Sequence, residues 1–339
     1  MQSGLDDEQA NEAIENLLSV LPVTEENRTF YRQLLVTVGR LAEDDVGDLG
    51  LKLITNSFKE IRYALNVFND YPAKKISVFG SARTHPDHPN YEAAEKFSSH
   101  AAERGYMLIS GAGPGIMEAT NKGAGPDNSF GLHISLPHEY KPNPYIRSDK
   151  KCVSFRYFFS RKLIFSKESS AAVYFPGGFG THDELLELLC LMQTGRHHLA
   201  PIVLCDSDGF WEEVLSYFEE TLIEYGTISE SDRHLYDYVN TPEAALDVID
   251  RFYSNYHSSR FVGDEFLIRF RTLNSRSDLH ELENEFIDLC PESGFRVEEG
   301  PIDGEEDSAP EDLYRLVFYF TNQDYGELRR LVSRLNDWD

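Results

Sequence analysis

The spacing of apolar residues along the chain changes twice, and each change marks a new region. Up to about residue 70, apolar residues recur every three or four positions, which is typical of helices with one buried face. Pro22 and the glycines at 47 and 50 are expected to separate two or three helices there. We therefore predict an N-terminal helical region, residues 1–70, that carries no sign of chemistry.

In the second region, residues 71–256, short apolar runs alternate with helical stretches. This alternation predicts an α/β fold with a Rossmann-like, doubly wound parallel sheet. The predicted strands cover residues 76–79, 106–109, 130–134, 152–155, 171–175, 202–205 and 236–239. Ligands of such sheets bind beyond the carboxyl ends of the strands, so the loops at Gly80, Gly111 and Gly177 are expected to lie together on that edge.

The third region, residues 260–339, has a strand, helix, strand, strand, helix order, which predicts a small C-terminal α+β domain. Its stretch 303–312, DGEEDSAPED, is acidic and contains proline, so it is predicted to be a mobile loop. The domain is interpreted either as a regulatory or dimerising module or as a packing appendage.

Residues 171–192, AAVYFPGGFGTHDELLELLCLM, combine a buried strand, a glycine-rich turn and a helix. Thr181 stands where a helix N-cap is expected, and Glu184 follows three residues later as in a capping box. The glycines let the backbone pass close to a ligand, while the free N–H groups at the helix start face an anion. The pattern predicts a phosphate site with a carboxylate beside it. A turn that is capped for stability alone is the alternative.

The loop after the second predicted strand, SGAGPG at residues 110–115, begins like a dinucleotide fingerprint. Ile116 occupies the place of the third glycine, and no acidic residue is well placed to bind a ribose. The GK[ST] of a nucleoside-triphosphate loop is also missing. A smaller phosphate, such as that of a mononucleotide, suits these loops better.

The helical stretch FRYFFSRKLIFSKE, residues 155–168, precedes the central strand. Arg161 falls among apolar residues of this helix, where an unpaired charge would cost several kcal/mol. Its guanidinium therefore needs an anion, which is either a structural carboxylate or a substrate. Lys162 lies one step round the helix and is interpreted as a solvated residue.

Charge and composition limit the class of partner. The chain has 339 residues, 41% of them hydrophobic, and a formal net charge of -26. Such a charge repels polyanions, which argues against nucleic acid or an anionic membrane as partner. The four cysteines lack metal-ligand spacing, and no apolar run approaches the ~20 residues that span a bilayer. We therefore predict a cytoplasmic protein with reduced thiols.

The motif PGGFGTHDE resembles the PGGxGTxxE signature of the Lonely Guy (LOG) family of nucleotide phosphoribohydrolases, long labelled lysine decarboxylase-like. Three further motifs follow the family order: FGSAR is similar to its first loop, SGAGPGIMEATNKGA to its second loop and helix, and SRK to its Arg-Lys pair. The resemblance covers about residues 75–205 and not the two ends.

The resemblance implies an enzyme that cleaves the N-glycosidic bond of a nucleoside 5′-monophosphate, releasing the base and ribose 5-phosphate, without metal or organic cofactor. It implies that Arg161 and Glu184 are the catalytic pair. It also implies a homodimer or larger assembly, formed through helices beside the site. The residues expected to contact the substrate and its phosphate are Gly80, Ser81, Gly111, Gly113, Gly115, Glu139, Lys162, Gly177, Gly178, Gly180, Thr181 and Asp183.

The chain departs from plant members in two places. It has FFS before Arg161 where they carry a Met-His pair, and His182-Asp183 where they carry Leu-Glu. The base preference, purine, pyrimidine or cytokinin-type, is therefore left open. A non-catalytic nucleotide carrier on the same scaffold is the alternative function. A lysine decarboxylase would need a Schiff-base lysine in a pyridoxal phosphate site, for which the sequence shows no signal.

Overall fold

The computed structural model describes residues 7–135, 141–273, 278–291, 294–305 and 309–338. The chain divides into two compact units, 1–62 and 63–339. The described part of the first unit consists of helices α1 (Glu8–Val20), α2 (Glu25–Glu43) and α3 (Gly47–Phe68), and the last residues of α3 belong to the second unit. Helices were predicted here.

Within the first unit, α1 and α2 pack around Ile14, Leu18 and Val36. The Glu15 carboxylate of α1 accepts from Arg28 and Arg32 of α2, both at 2.8 Å. Pro22 lies between the two helices, as predicted. The glycines at 47 and 50 lie in the first turn of α3, so the second break comes just before them.

The described residues of the second unit form a sheet of seven parallel strands in the order β4-β3-β2-β1-β5-β6-β7. The strands are β1 (Lys75–Phe79), β2 (Met107–Ser110), β3 (Ser129–Ile134), β4 (Cys152–Phe155), β5 (Ala171–Tyr174), β6 (Ile202–Cys205) and β7 (Asp237–Val239). The predicted parallel sheet is confirmed. The strand order reverses between β1 and β5, because β2 to β4 follow on one side of β1 and β6 to β7 follow on the other side of β5. Open α/β sheets bind ligands at such a reversal.

Helices cover both faces of this sheet. They are α4 (Pro89–Glu103), α5 (Ile116–Ala124), α6 (Phe158–Glu168), α7 (Phe179–Gln193), α8 (Phe210–Tyr217), which continues as a π-helix (Phe218–Ile223), a 3-10 helix (Glu230–Leu235) and α9 (Pro242–Phe252). In β5, Val173 packs on the side that holds Phe97 of α4, and Tyr174 on the side that holds Leu185 of α7 and Trp211 of α8. Because both faces are buried, the strands read as continuous apolar runs.

The C-terminal part contains β8 (Tyr256–Val262), β9 (Glu265–Phe270), α10 (Leu279–Glu285), a 3-10 helix (Ile287–Leu289), β10 (Arg296–Glu299), β11 (Tyr314–Phe318) and α11 (Tyr325–Asn336). Its strands form an antiparallel sheet in the order β10-β11-β9-β8. The α+β character is as predicted, but strand β8 was not predicted.

This second sheet shares one hydrophobic core with the parallel sheet, since Phe266 and Leu331 cluster with Tyr174 and Leu185. The Asn336 side chain accepts from the N–H of Tyr256 at 2.8 Å and donates to the carbonyl of Phe252 at 2.9 Å. These contacts fix α11 to the end of α9.

The acidic stretch 303–312 is held in place where it is described. The Glu305 carboxylate is buried between two arginines of the antiparallel sheet, Arg269 at 2.5 Å and Arg315 at 3.1 Å. Arg315 also donates to the carbonyl of Pro310 at 2.6 Å. Glu305 therefore serves as the anionic partner that these buried arginines require, and Pro310 accepts a hydrogen bond from one of them. The mobility of the stretch stays a prediction.

Candidate active site

The loops that follow β1, β2 and β5 meet at one edge of the parallel sheet, as predicted. The N–H of Ser81, after β1, donates to the carbonyl of Pro176, after β5, at 3.1 Å. The carbonyl of Ser81 accepts from the N–H of Ile116, at the end of the β2 loop, at 3.1 Å. Ser81 therefore joins the loops that begin at Gly80, Gly111 and Pro176.

Some of the glycines are required by this close packing. Gly115 has φ +67°, and a Cβ there would lie 2.3 Å from the carbonyl oxygen of Ser81. A Cβ at Gly80 would lie 2.6 Å from the side chain of Ile116, and one at Gly113 would lie 2.6 Å from Met117 Cε. These positions of the first two loops are therefore explained by packing between loops and helix α5.

The third loop contains two kinds of glycine. A Cβ at Gly177 would lie 2.1 Å from Thr181 Oγ1, so this glycine is required by packing. At Gly178 and Gly180, no heavy atom of the described chain lies within 4 Å of the added Cβ, apart from the adjacent residues and the backbone of the helix itself. The backbone at Gly178 and Gly180 therefore borders open space that a ligand can enter.

Helix α7 begins earlier than predicted. Gly178 is its N-cap residue, and among the described residues no side chain caps this end. Thr181 is a buried residue of the first turn, so its prediction as N-cap is wrong, and the capping box with Glu184 does not form. The N–H of Thr181 donates to the carbonyl of Gly178 at 3.0 Å, so among the described residues of this turn the N–H groups of Phe179 and Gly180 stay available to an anion. Glu184 has no capping role that would explain its presence.

Arg161 of α6 faces Glu184 of α7, with 3.8 Å between Arg161 Nη2 and Glu184 Oε1. Both side chains are largely buried, at 13% and 11% exposure. The guanidinium lies 5.0 Å from the centre of the Phe158 ring, and a Cβ at Gly111 would lie 3.8 Å from Arg161 Nη1. Arg161 therefore reaches from α6 to the second glycine loop, and its nearest described carboxylate is Glu184.

Burial raises the pKa of Glu184 from its ordinary 4.5 to about 7. Arg161 and Lys162 oppose this by favouring the carboxylate, whereas Glu187 and Asp183 add to it by like-charge repulsion. At a separation of 3.8 Å the pair is an ion pair without a close hydrogen bond, so Arg161 does not overcome the effect of burial. Glu184 is therefore a carboxyl group that changes its protonation near neutral pH.

Lys162 is not the solvated residue that the sequence suggested. Its side chain is 12% exposed, and its ammonium group contacts Asp183 Oδ1 at 2.9 Å and the Glu187 carboxylate. Burial works against the charge of Lys162, but hydrogen bonds to Glu187 and Asp183 raise its pKa. Sequence reasoning missed Glu187. The available signal was its position one turn after Glu184 on the same helix face.

The second glycine loop is tied to the segment that begins at residue 141. The Asn143 side chain donates to the carbonyl of Gly113 at 3.2 Å, and its N–H donates to the carbonyl of Ala112 at 2.8 Å. Ala112 has φ +59°, a left-handed conformation that this hydrogen bond helps to hold. Glu139, which the resemblance places at the substrate, lies outside the described residues.

The described residues show neither a metal-binding cluster nor a helix that could cross a membrane. They contain no group of three or more His, Cys, Asp and Glu side chains that could hold a metal ion. In the same ranges, no helix combines the length and the apolar character that crossing a bilayer requires.

Comparison with known proteins gives the family of the chain. The family model described as "Possible lysine decarboxylase" matches residues 115–249. The probable cytokinin riboside 5′-monophosphate phosphoribohydrolase LOG4 of Oryza sativa subsp. japonica is 30% identical over 174 residues, which are 49% of this chain and 71% of that protein. A second rice relative of the same description, LOGL3, is 34% identical over 97 residues, which are 29% of this chain and 44% of that protein.

The matched part spans less than half the length of several of these relatives, 44%, 37% and 36% in three rice proteins. Among solved structures, the molybdenum cofactor carrier protein of Chlamydomonas reinhardtii is 18% identical over 53% of this chain and 97% of that chain, with a TM-score of 0.39. The match to LOG4 covers more than two thirds of that relative and agrees with the motif order. The chain therefore belongs to the LOG family.

Proposed function

We propose that the protein is a nucleoside 5′-monophosphate phosphoribohydrolase, which hydrolyses the N-glycosidic bond to give free base and ribose 5-phosphate. The observation that carries this proposal is the placement of Glu184, a buried carboxyl group opposite Arg161, at the edge where the glycine loops meet. The LOG relatives, which are probable cytokinin riboside 5′-monophosphate phosphoribohydrolases, support the same reaction class.

The phosphate of the substrate is assigned to the start of α7. Gly178 and Gly180 border open space, and they lie at the start of a 15-residue helix, whose first N–H groups lack acceptors within the helix. A helix N-terminus favours an anion through these N–H groups and through the helix dipole. One phosphate monoester matches one such terminus. A free nucleoside lacks the phosphate that the helix N-terminus would bind.

Glu184 is assigned to the ribose. Departure of the base leaves positive charge on the sugar, as in glycoside hydrolysis, and a carboxylate beside the ring stabilises that charge. Water supplies a hydroxyl group to the anomeric carbon and a proton to the leaving base. The ionised form of Glu184 is required for this role, so activity should rise with pH through about 7.

Arg161 has two possible roles in this scheme. It can bind the phosphate in the ground state, or it can polarise the departing base. Its approach to Gly111 supports a position between the second loop and Glu184. Lys162 and Asp183, which pair with each other, then act on the site through Glu184 and not through the phosphate.

We further propose a homodimer. Exposed apolar side chains lie on α6 and α7 beside the site, namely Phe158, Phe159, Leu163 and Leu186. Such neighbouring exposed apolar groups are typical of a contact between subunits.

The four cysteines are free thiols, which supports a cytoplasmic location. We assign catalysis to residues 71–256 and expect residues 260–339 to modulate it.

The test is incubation with a panel of nucleoside 5′-monophosphates and the matching nucleosides, with released base measured by chromatography. We expect release from at least one nucleotide, much slower release from its nucleoside, and release by Glu184→Gln that is slower by on the order of a hundredfold or more. Glu213→Gln, which changes an exposed carboxylate of α8, is the matched control. Equal rates on nucleotide and nucleoside would contradict the phosphate assignment. Binding of nucleotide without any turnover would favour a carrier instead.

A further inference from the structure

We propose that Glu187 is a positioning residue of this site, which holds Lys162 and together with it sets the charge balance around Glu184. The proposal rests on the function proposed above, and it concerns a residue outside the family motif. It also gives Lys162 a role other than phosphate binding.

The geometry consists of two neighbouring ion pairs between the same two helices. Arg161 and Lys162 are adjacent on α6, and Glu184 and Glu187 are one turn apart on α7. Arg161 faces Glu184 at 3.8 Å, and Lys162 contacts Glu187. Because both pairs join α6 to α7, the contact of Lys162 with Glu187 also holds Arg161 opposite Glu184.

Lys162, Glu184 and Glu187 share one small, partly open cavity. A cavity of about 20 Å³ between the two helices and the sheet is lined by Lys162, Glu184 and Glu187, together with Tyr174 of β5. The Tyr174 hydroxyl donates to the backbone carbonyl of Glu184 at 3.3 Å. Glu184 and Lys162 are 11% and 12% exposed and Glu187 is 40% exposed, so water screens the charges only in part and a change at one is felt at the others.

The charges around Glu184 explain why the pair of Lys162 and Glu187 affects its ionisation. Among the described residues around Glu184, Arg161 and Lys162 carry positive charge, and Asp183 and Glu187 carry negative charge. Together these neighbours are balanced, so ionisation of Glu184 leaves a net charge of minus one. Removing Glu187 makes the surroundings more positive, and removing Lys162 makes them more negative.

The experiment measures the pH dependence of kcat/KM in the full-length protein for wild type, Glu187→Gln and Lys162→Met. We expect the acidic limb to move to lower pH by roughly one unit in Glu187→Gln, and to higher pH in Lys162→Met. The phosphate of the substrate also titrates in this range, near pH 6, but equally for every variant. A merely structural role would lower the melting temperature or kcat without moving the limb, and that result would overturn the proposal.

Two further variants sharpen the comparison. Asp183→Asn removes the other carboxylate partner of Lys162, but Asp183 is 61% exposed, so water screens its charge and we expect a smaller movement than for Glu187→Gln. The double change Lys162→Met with Glu187→Leu removes opposite charges, and its limb should return close to that of wild type. If Lys162→Met fails to fold, Glu187→Gln and Asp183→Asn decide the question alone.

A direct titration separates this proposal from the proposed function. The ¹³C carboxyl resonance of Glu184, assigned by its loss in Glu184→Gln, reports the pKa without any need for turnover. Movement of this titration in Glu187→Gln supports the positioning role even if no nucleotide is cleaved. An unmoved titration overturns it even if wild type is an active hydrolase.

Discussion

The free energy of unfolding should fall less at alkaline pH in Glu184→Gln than in wild type, because glutamine resembles the protonated acid. The folded pKa of Glu184, about 7, lies above its ordinary value of 4.5. A raised folded pKa means that stability is fully present below the unfolded value and is lost as pH rises through the folded one. At about 1.4 kcal/mol for each pKa unit, the loss above pH 8 is about 3 kcal/mol. Between pH 5 and pH 8 the loss of stability is about 2 kcal/mol, since Glu184 is already largely ionised at pH 5 in the unfolded chain.

The assay is urea unfolding of wild type and Glu184→Gln at pH 5 and pH 8. Other groups titrate in both proteins, so the difference between the two proteins isolates Glu184. We expect wild type to lose about 2 kcal/mol more than the variant over this range. Turnover of the variant at pH 8 should fall by on the order of a hundredfold or more. Equal pH dependence in both proteins would refute the reasoning that burial raises this pKa, and Glu213→Gln should follow wild type.

Other outcomes follow from the loops and helices around the site. Gly177→Ala should lower the free energy of unfolding by roughly 2 kcal/mol and reduce turnover, because its Cβ would meet Thr181 Oγ1 at 2.1 Å. Gly178→Ala, which faces open space, is its matched control and should lose no more than about 1 kcal/mol in the same urea assay, the loss that alanine brings at an N-cap. Light scattering at micromolar concentration should give the mass of two chains, and Leu163→Glu, which places charge on the exposed apolar face of α6, should give the mass of one. A single-chain mass for wild type would contradict the proposed dimer.

The parallel sheet could be predicted closely because its strands are buried on both faces. Each reads as an unbroken apolar run, as in β5, where all four residues are buried. Strand β8 could not be predicted in the same way. It lies at the edge of the antiparallel sheet, and its sequence YHSSRFV carries polar residues on both sides of the pleat. Strand β8 forms by pairing with β9, and the local sequence pattern does not predict such tertiary pairing.

The start of α7 shows where local rules fail at a functional site. Thr181 and Glu184 have the spacing of a capping box, and the rule places the N-cap at Thr181. The helix instead begins at Phe179, with Gly178 as N-cap. Thr181 is turned inward, where its hydroxyl packs against Gly177. A helix end that lacks a side-chain cap keeps its N–H groups available, which suits the proposed binding of a phosphate.

The charge network around the site could be predicted only in part. The need of Arg161 for an anion followed from its apolar neighbours on one helix. The pairing of Lys162 with Glu187 did not, because charged residues at helical spacing are usually solvated and nothing in either helix says which faces meet. The packing of α6 beside α7 leaves Lys162 only 12% exposed, so its charge depends on carboxylate partners from α7.

The burial of Glu184 connects its cost to stability with its proposed role in catalysis. A carboxylate that formed a close, well-aligned pair with Arg161 would have a low pKa and would already be stabilised in the resting enzyme. At 3.8 Å, and with Glu187 nearby, Glu184 is poorly stabilised until positive charge develops on the ribose. Interactions that strengthen only in the transition state are the ones that accelerate a reaction. In the proposed reaction, part of the free energy that ionised Glu184 costs the folded protein is therefore recovered when positive charge develops on the ribose.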